Sequence, residues 1–158
     1  MKIPYYHVDA FVGARFRGNP AGVCVLEEWL PDDILQKIAF ENNLSETAFF
    51  VAGKDPVDLR WFTPALEVDL CGHATVAAGF VIFSCLGQKG SLIRFQSKSG
   101  LLTVEREGEI MVLDFPSRPP VPCELPDALK KGLGLTPLEV RRPGTTLLSY
   151  QPRRRCKS

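Results

Sequence analysis

RWFTPALEVDLCGHATVAAGFVIF, residues Arg60–Phe83, decides the fold. It opens as a short strand, bends at Pro64, and passes through Cys71-Gly72-His73 into a run with no charged residue from His73 to Phe83. Ala74, Val76, Ala77, Ala78, Phe80, Val81, Ile82 and Phe83 leave no polar face except Thr75. A helix that is apolar all round is buried, so Val76, Phe80 and Phe83 are expected inside. At about 11 to 13 residues it is shorter than the roughly 20 that cross a bilayer, which makes it the central helix of a soluble core.

The first turn of such a helix can carry chemistry. Its opening N–H groups have no intrahelical partner and sit at the positive end of the helix dipole, so they receive anions such as carboxylates. Gly72 allows close approach to the backbone, and His73 can donate, accept or carry a proton near neutral pH. The same pair equally suits a plain turn and an N-terminal cap.

The segments before this helix alternate strands with one amphipathic helix. KIPYYHVD (2–9) reads as a strand, placed at an edge by Pro4. FVGARFRGN (11–19) reads as a loop closing on the turn signal Gly18-Asn19-Pro20, and AGVCVL (21–26) as a short buried strand. Pro31, Asp32 and Asp33 start a helix with Ile34, Leu35, Ile38 and Ala39 at helical spacing, ended by Asn42-Asn43. SETAFFVA (45–52) returns to strand composition with Glu46 at its head. A carboxylate there is ordinarily a solvated strand end, and a catalytic role is the alternative. VDLRWFT (57–63) alternates as a strand and is stopped by Pro64.

After the helix, SLIRFQSK, LLTVERE and IMVLDF are separated by Ser99-Gly100 and Gly108, as in an antiparallel meander. The expected fold class is α+β: six or seven strands in a curled mixed or antiparallel sheet wrapped around a buried central helix. Residues 1–116 form this domain in our reading. Residues 117–140 form a proline-rich connector with a short helix near Leu125–Leu133. Residues 141–158 form a basic tail, expected to be disordered or to reflect an altered reading frame.

Composition limits the function classes. The 158 residues are 45% hydrophobic and 23% charged with a net charge of +1, which argues against a dedicated nucleic-acid or membrane-surface binder. The N-terminus shows no signal-peptide pattern, so a cytoplasmic protein is expected. The charge is unevenly placed. Residues 141–158 hold six of the nineteen Lys and Arg side chains and none of the eighteen acidic ones, leaving −5 on residues 1–140. Arg153-Arg154-Arg155 lacks interleaved aromatics and reads as a solvated end rather than a nucleic-acid surface. Cys24, Cys71, Cys85, Cys123 and Cys156 are scattered without CxxC spacing, which suits neither a disulfide framework nor a zinc site, and no metal ligand set is expected. Cys71 alone invites a functional hypothesis, because a thiol at a helix N-terminus tends toward a lowered pKa.

Three pieces in order, FRGNPAGVCVL, NLSETAFF and RWFTPALEVDLCGHATVAAG, resemble the PhzF-like family of phenazine-biosynthesis proteins, relatives of diaminopimelate epimerase. The match covers roughly residues 1–116 and continues weakly to about 140. The resemblance implies one of two similar lobes, each a sheet curled around a central helix, with the active site in the cleft between them. It implies that Glu46 is the general acid/base of a cofactor-independent isomerase or epimerase, moving a proton between carbons of a small carboxylate-bearing substrate. Gly72, His73 and Ala74 would receive that carboxylate, with His73 assisting proton movement. Asn19 and Thr63 would line the same pocket. Cys71 falls near the catalytic thiol of the epimerase relatives, whereas PhzF-like members rely on the glutamate. The family's second lobe has no counterpart in this sequence, and RRPGTTLLSYQPRRRCKS matches nothing in the family. The chain is therefore expected to carry half an active site and to form a homodimer or larger assembly. The alternative is a catalytically silent half that serves as an association or protein-interaction module.

Overall fold

The computed structural model describes residues 2–14, 17–117, 119–142 and 147–149. The chain divides into two units, residues 1–116 and 117–158. The first contains β1 (Tyr5–Ala10), β2 (Asn19–Leu26), α1 (Asp32–Asn42), β3 (Glu46–Val51), β4 (Val57–Phe62), β5 (Glu67–Val68), α2 (Gly72–Phe80), β6 (Leu92–Ser97), β7 (Gly100–Glu107) and β8 (Ile110–Asp114). A π-helical turn, Val81–Cys85, prolongs α2. β5 has only two residues, too few for an alternation to show in the sequence.

The sheet order is β1-β2-β3-β4-β6-β7-β8, with β5 paired to β4. β2 and β3 run parallel, as do β4 and β6, and the remaining pairs are antiparallel. Parallel neighbours need a crossover: α1 supplies the first, and α2 lies within the second. Because both faces of β2 and β3 are covered, these strands are continuous apolar runs rather than alternating ones. Val23, Val25, Ala48 and Phe50 join Leu59, Trp61, Ala74, Ala78 and Val81 in one core around α2. Cys24, Leu26, Phe49 and Val51 pack with Leu35, Ala39 and Phe62 in a second core against α1. The curled mixed sheet around a central helix is the architecture expected from Arg60–Phe83.

α1 ends on Asn43, whose left-handed backbone (φ 49°) lets its N–H reach the carbonyls of Ala39 and Phe40. α2 lies close to β7. A Cβ on Gly79 would sit 2.9 Å from Val104 Cγ1, nearer than real side chains approach, so glycine sets this helix-to-sheet distance.

One expectation about α2 is corrected. Phe83 is buried, but Phe80 is 40% exposed and Val76 half-buried. β1 and β8 are the two ends of the sheet order and are not paired with each other. Between them a groove lined by Ala10, Phe11, Val76, Phe80, Ile110 and Met111 leaves one side of the helix uncovered.

In the second unit, β9 (Val121–Pro122), β10 (Glu139–Arg142) and β11 (Leu147–Ser149) form an antiparallel sheet in the order β11-β10-β9, with α3 at Asp127–Leu133. β10 runs across the connector-to-tail boundary set at 140/141, and β11 lies in the stretch expected to be unstructured. The rest of that tail, 143–146 and 150–158, is outside the described residues. Among the described residues, no helix is long and apolar enough to cross a membrane.

Candidate active site

Three neighbouring strand or helix ends bring the site together. Glu46 heads β3, with Ala21 opposite it on β2. β3 and β4 pair as far as Thr47↔Phe62, so Thr63 follows directly beside Glu46. α2 begins at Gly72 after Cys71, whose extended backbone (φ −149°) turns the chain into the helix. Thr75 N–H and its hydroxyl both donate to the Cys71 carbonyl, closing the first turn.

His73 stands at the centre. Its Nε2 lies 3.3 Å from Glu46 Oε2 and 3.4 Å from Ser45 Oγ, and its Nδ1 lies 3.4 Å from Cys71 Sγ. The imidazole is nearly buried, with 10% of its side chain exposed against 21% for Glu46. An ionised carboxylate only accepts, so a proton on Nε2 serves Glu46, and with the proton there Nδ1 accepts from the Cys71 thiol. Cys71 S–H, the imidazole and the Glu46 carboxylate then form a connected chain of proton-bearing groups.

The thiol differs from the sequence expectation. Burial pushes the Cys71 pKa up to about 12, the Glu46 carboxylate adds to the rise, and the Ala74 N–H opposes it. Desolvation of the thiolate outweighs the helix start, so Cys71 is a protonated donor at neutral pH rather than an activated thiolate.

The remaining predicted positions lie as follows. The Ala74 side chain is fully buried in the core, and its backbone N–H is directed at the Cys71 sulfur. Gly72 is half-buried, and a Cβ there would come no nearer than 3.8 Å to Leu113. Asn19 is exposed at the head of β2. The Thr63 hydroxyl accepts from Ala65 N–H and Leu66 N–H and donates to the Leu66 carbonyl, while the Thr63 carbonyl accepts from Gln36 Nε2 at 2.8 Å. Thr63 therefore fixes the turn beside Glu46. Arg60 braces the same hairpin. It donates to Glu67 through Nε at 2.7 Å and Nη2 at 2.9 Å, and to Asp32 through Nη1 at 2.9 Å. The bonds from Arg60, with a further one from Lys98, hold the Glu67 carboxyl below the usual carboxylate range. Ser45 was not singled out from the sequence, and its place directly before Glu46 is the signal that could have found it.

A carboxylate and an imidazole at the N-terminus of a helix enclosed by a curled mixed sheet define a class: one lobe of an epimerase-like fold. The chain belongs to the phenazine biosynthesis-like protein family, whose model matches residues 8–131. It is 50% identical over 140 residues to an uncharacterized isomerase of Pseudomonas aeruginosa, covering 89% of this chain and 54% of that protein. The crystal structure of a PhzF-family phenazine biosynthesis protein of Enterococcus faecalis superposes with a TM-score of 0.76 at 43% identity, covering 97% of this chain and 59% of the other. A predicted epimerase of P. aeruginosa, at 22% identity and a TM-score of 0.60, shares the fold, with 75% of this chain and 46% of that one covered. The chain spans about half the length of the curated relatives it matches.

Proposed function

We propose that this chain carries the acid/base lobe of a PhzF-like isomerase acting on a small carboxylate-bearing substrate in the cytoplasm. The observation that carries the reading is the 3.3 Å approach of Glu46 Oε2 to His73 Nε2 at the start of α2. Glu46 removes a proton from a carbon next to the substrate's acidifying group and returns it to another carbon. The electron pair left behind spreads toward the substrate carboxylate, which the free N–H groups of Gly72 and His73 receive. His73 orients Glu46 through Nε2–H and helps move the proton. The four described cysteines are free thiols, the state that a reducing compartment maintains.

Solvent-deuterium exchange into small unsaturated or amino acids, followed by NMR, tests this reading. Incorporation that disappears in Glu46→Gln supports it, and incorporation unchanged by that substitution overturns it. A second reading, a silent half that functions by association, is favoured by the groove between β1 and β8, where Phe11, Phe80 and Ile110 are 70%, 40% and 67% exposed. Patches of this kind are commonly covered by a partner, and a second copy of the chain is the partner proposed. Sedimentation equilibrium decides this: a monomer at all workable concentrations removes the association reading.

A further inference from the structure

Glu46, Cys71 and His73 are also a metal-capable set: one donor atom from each lies within 4.8 Å of the others. Their spacing along the chain gives no hint of this, because the carboxylate arrives from β3 and the other two from the start of α2. Cys71 and His73 are 7% and 9% exposed and fixed by the first helical turn, whereas Glu46 is more open at a strand end. A thiol, an imidazole and a carboxylate together suit Zn²⁺ and other borderline metals, whereas Mg²⁺ and Ca²⁺ want oxygen donors throughout.

Tetrahedral bonds of about 2.0–2.3 Å place donor atoms roughly 3.3–3.8 Å apart. Glu46 Oε2 and His73 Nε2 already stand at 3.3 Å. All the donor atoms lie within 4.8 Å of one another, so no pair has to contract by more than about 1 Å, within reach of a rotamer change at Cys71 or Glu46. Three protein ligands leave the fourth position to water, the arrangement of an open zinc site.

We propose that Glu46, Cys71 and His73 form a reversible Zn²⁺ site whose occupation silences proton transfer. On binding, the Cys71 S–H bond breaks, a sulfur–zinc bond forms and the proton leaves to solvent. His73 gives a ring nitrogen and Glu46 a carboxylate oxygen. The oxygen that would take a substrate proton is then held by the metal, so zinc acts as an inhibitor.

Co²⁺, added to the reduced 158-residue chain, is the optical probe, and its readout does not depend on turnover. A failure here therefore leaves the proton-transfer reading standing; the metal site likewise stands without that reading, whereas its inhibitory effect rests on it. The expected result is a near-ultraviolet thiolate-to-cobalt band saturating at one equivalent, displaced by Zn²⁺, with about one proton released per metal as the thiol ionises. Cys71→Ser should abolish the band, and Cys85→Ser should leave it intact. Glu46→Gln, at a partly exposed position where folding is expected to survive, should weaken Co²⁺ affinity by about ten-fold or more. Absence of a stoichiometric band overturns the proposal. So does a band that persists in Cys71→Ser, or one indifferent to Glu46→Gln.

Discussion

Gly79 and Val104 set the distance between the central helix and the sheet: a methyl group on Gly79 would lie 2.9 Å from Val104 Cγ1 and 3.3 Å from its Cβ. Both residues are buried, Val104 fully. Gly79→Ala should therefore destabilise the domain by about 1–3 kcal/mol, the usual cost of overpacking, despite alanine's better helix propensity. Urea titration measures this. Adding Val104→Ala should leave the double variant more stable than the sum of the two single losses predicts, and simple additivity would refute the contact.

The exposure pattern along α2 gives opposed outcomes for neighbouring positions. Val81 and Phe83 are 0% and 3% exposed, whereas Phe80 is 40% exposed. Val81→Asp or Phe83→Asp buries an unpaired charge at a cost of several kcal/mol, enough to unfold a domain of ordinary stability. Phe80→Asp should remain folded and melt cooperatively. Circular dichroism melts of the three variants check the order, and an unfolded Phe80→Asp alongside a folded Val81→Asp would contradict it.

Removing the Glu46 carboxylate should separate activity from stability. Glu46→Gln keeps the side-chain volume at a partly exposed strand end, so Tm should shift by only a few degrees. Any C–H exchange should fall by roughly 10²–10⁴, the typical contribution of a positioned general base. A variant that loses exchange only because it unfolds would show in the melt.

Alkaline pH should weaken the fold. Burial raises Cys24 and Cys71 to about 12, against about 8.5 for a thiol in an unfolded chain. Between those values the unfolded state binds fewer protons than the native one, so the stability contributed by the protonated thiols is complete below about 8.5 and declines as pH rises toward 12. Tm should fall across that window, and replacing both cysteines with alanine should flatten the decline. In peptide-resolved alkylation at pH 8, exposed Cys85 should react well before Cys24 and Cys71.

The central helix and the meander were legible because their apolar residues are contiguous or strictly alternating. The exposure of Phe80 was not, since it depends on β1 and β8 failing to meet, a property of the whole sheet order. β5 escaped because Glu67 and Val68 are too few to display a period. The approach of Glu46 to His73 has no local signature. It follows from the pairing of β3 with β2 and β4, and the sequence suggested it only through the family resemblance. Cys71 shows how opposing effects defeat a positional rule: the helix start lowers a thiol's pKa, but the degree of burial that reverses the sign is known only from the packed structure.

The two parallel pairs, β2 with β3 and β4 with β6, have a consequence for how the chain folds. Hairpins can form locally, but these pairs close only after α1 and α2 have been laid across the sheet, so much of the native contact set is distant in sequence. Chains of that kind fold slowly, because loop closure precedes the contacts that reward it. The start of α2, where His73 meets Glu46, lies inside the second of these crossovers. Its geometry therefore has to await the assembly of both sides of the sheet, and a nascent chain that has emerged only as far as His73 would hold every one of these polar residues without yet holding a site.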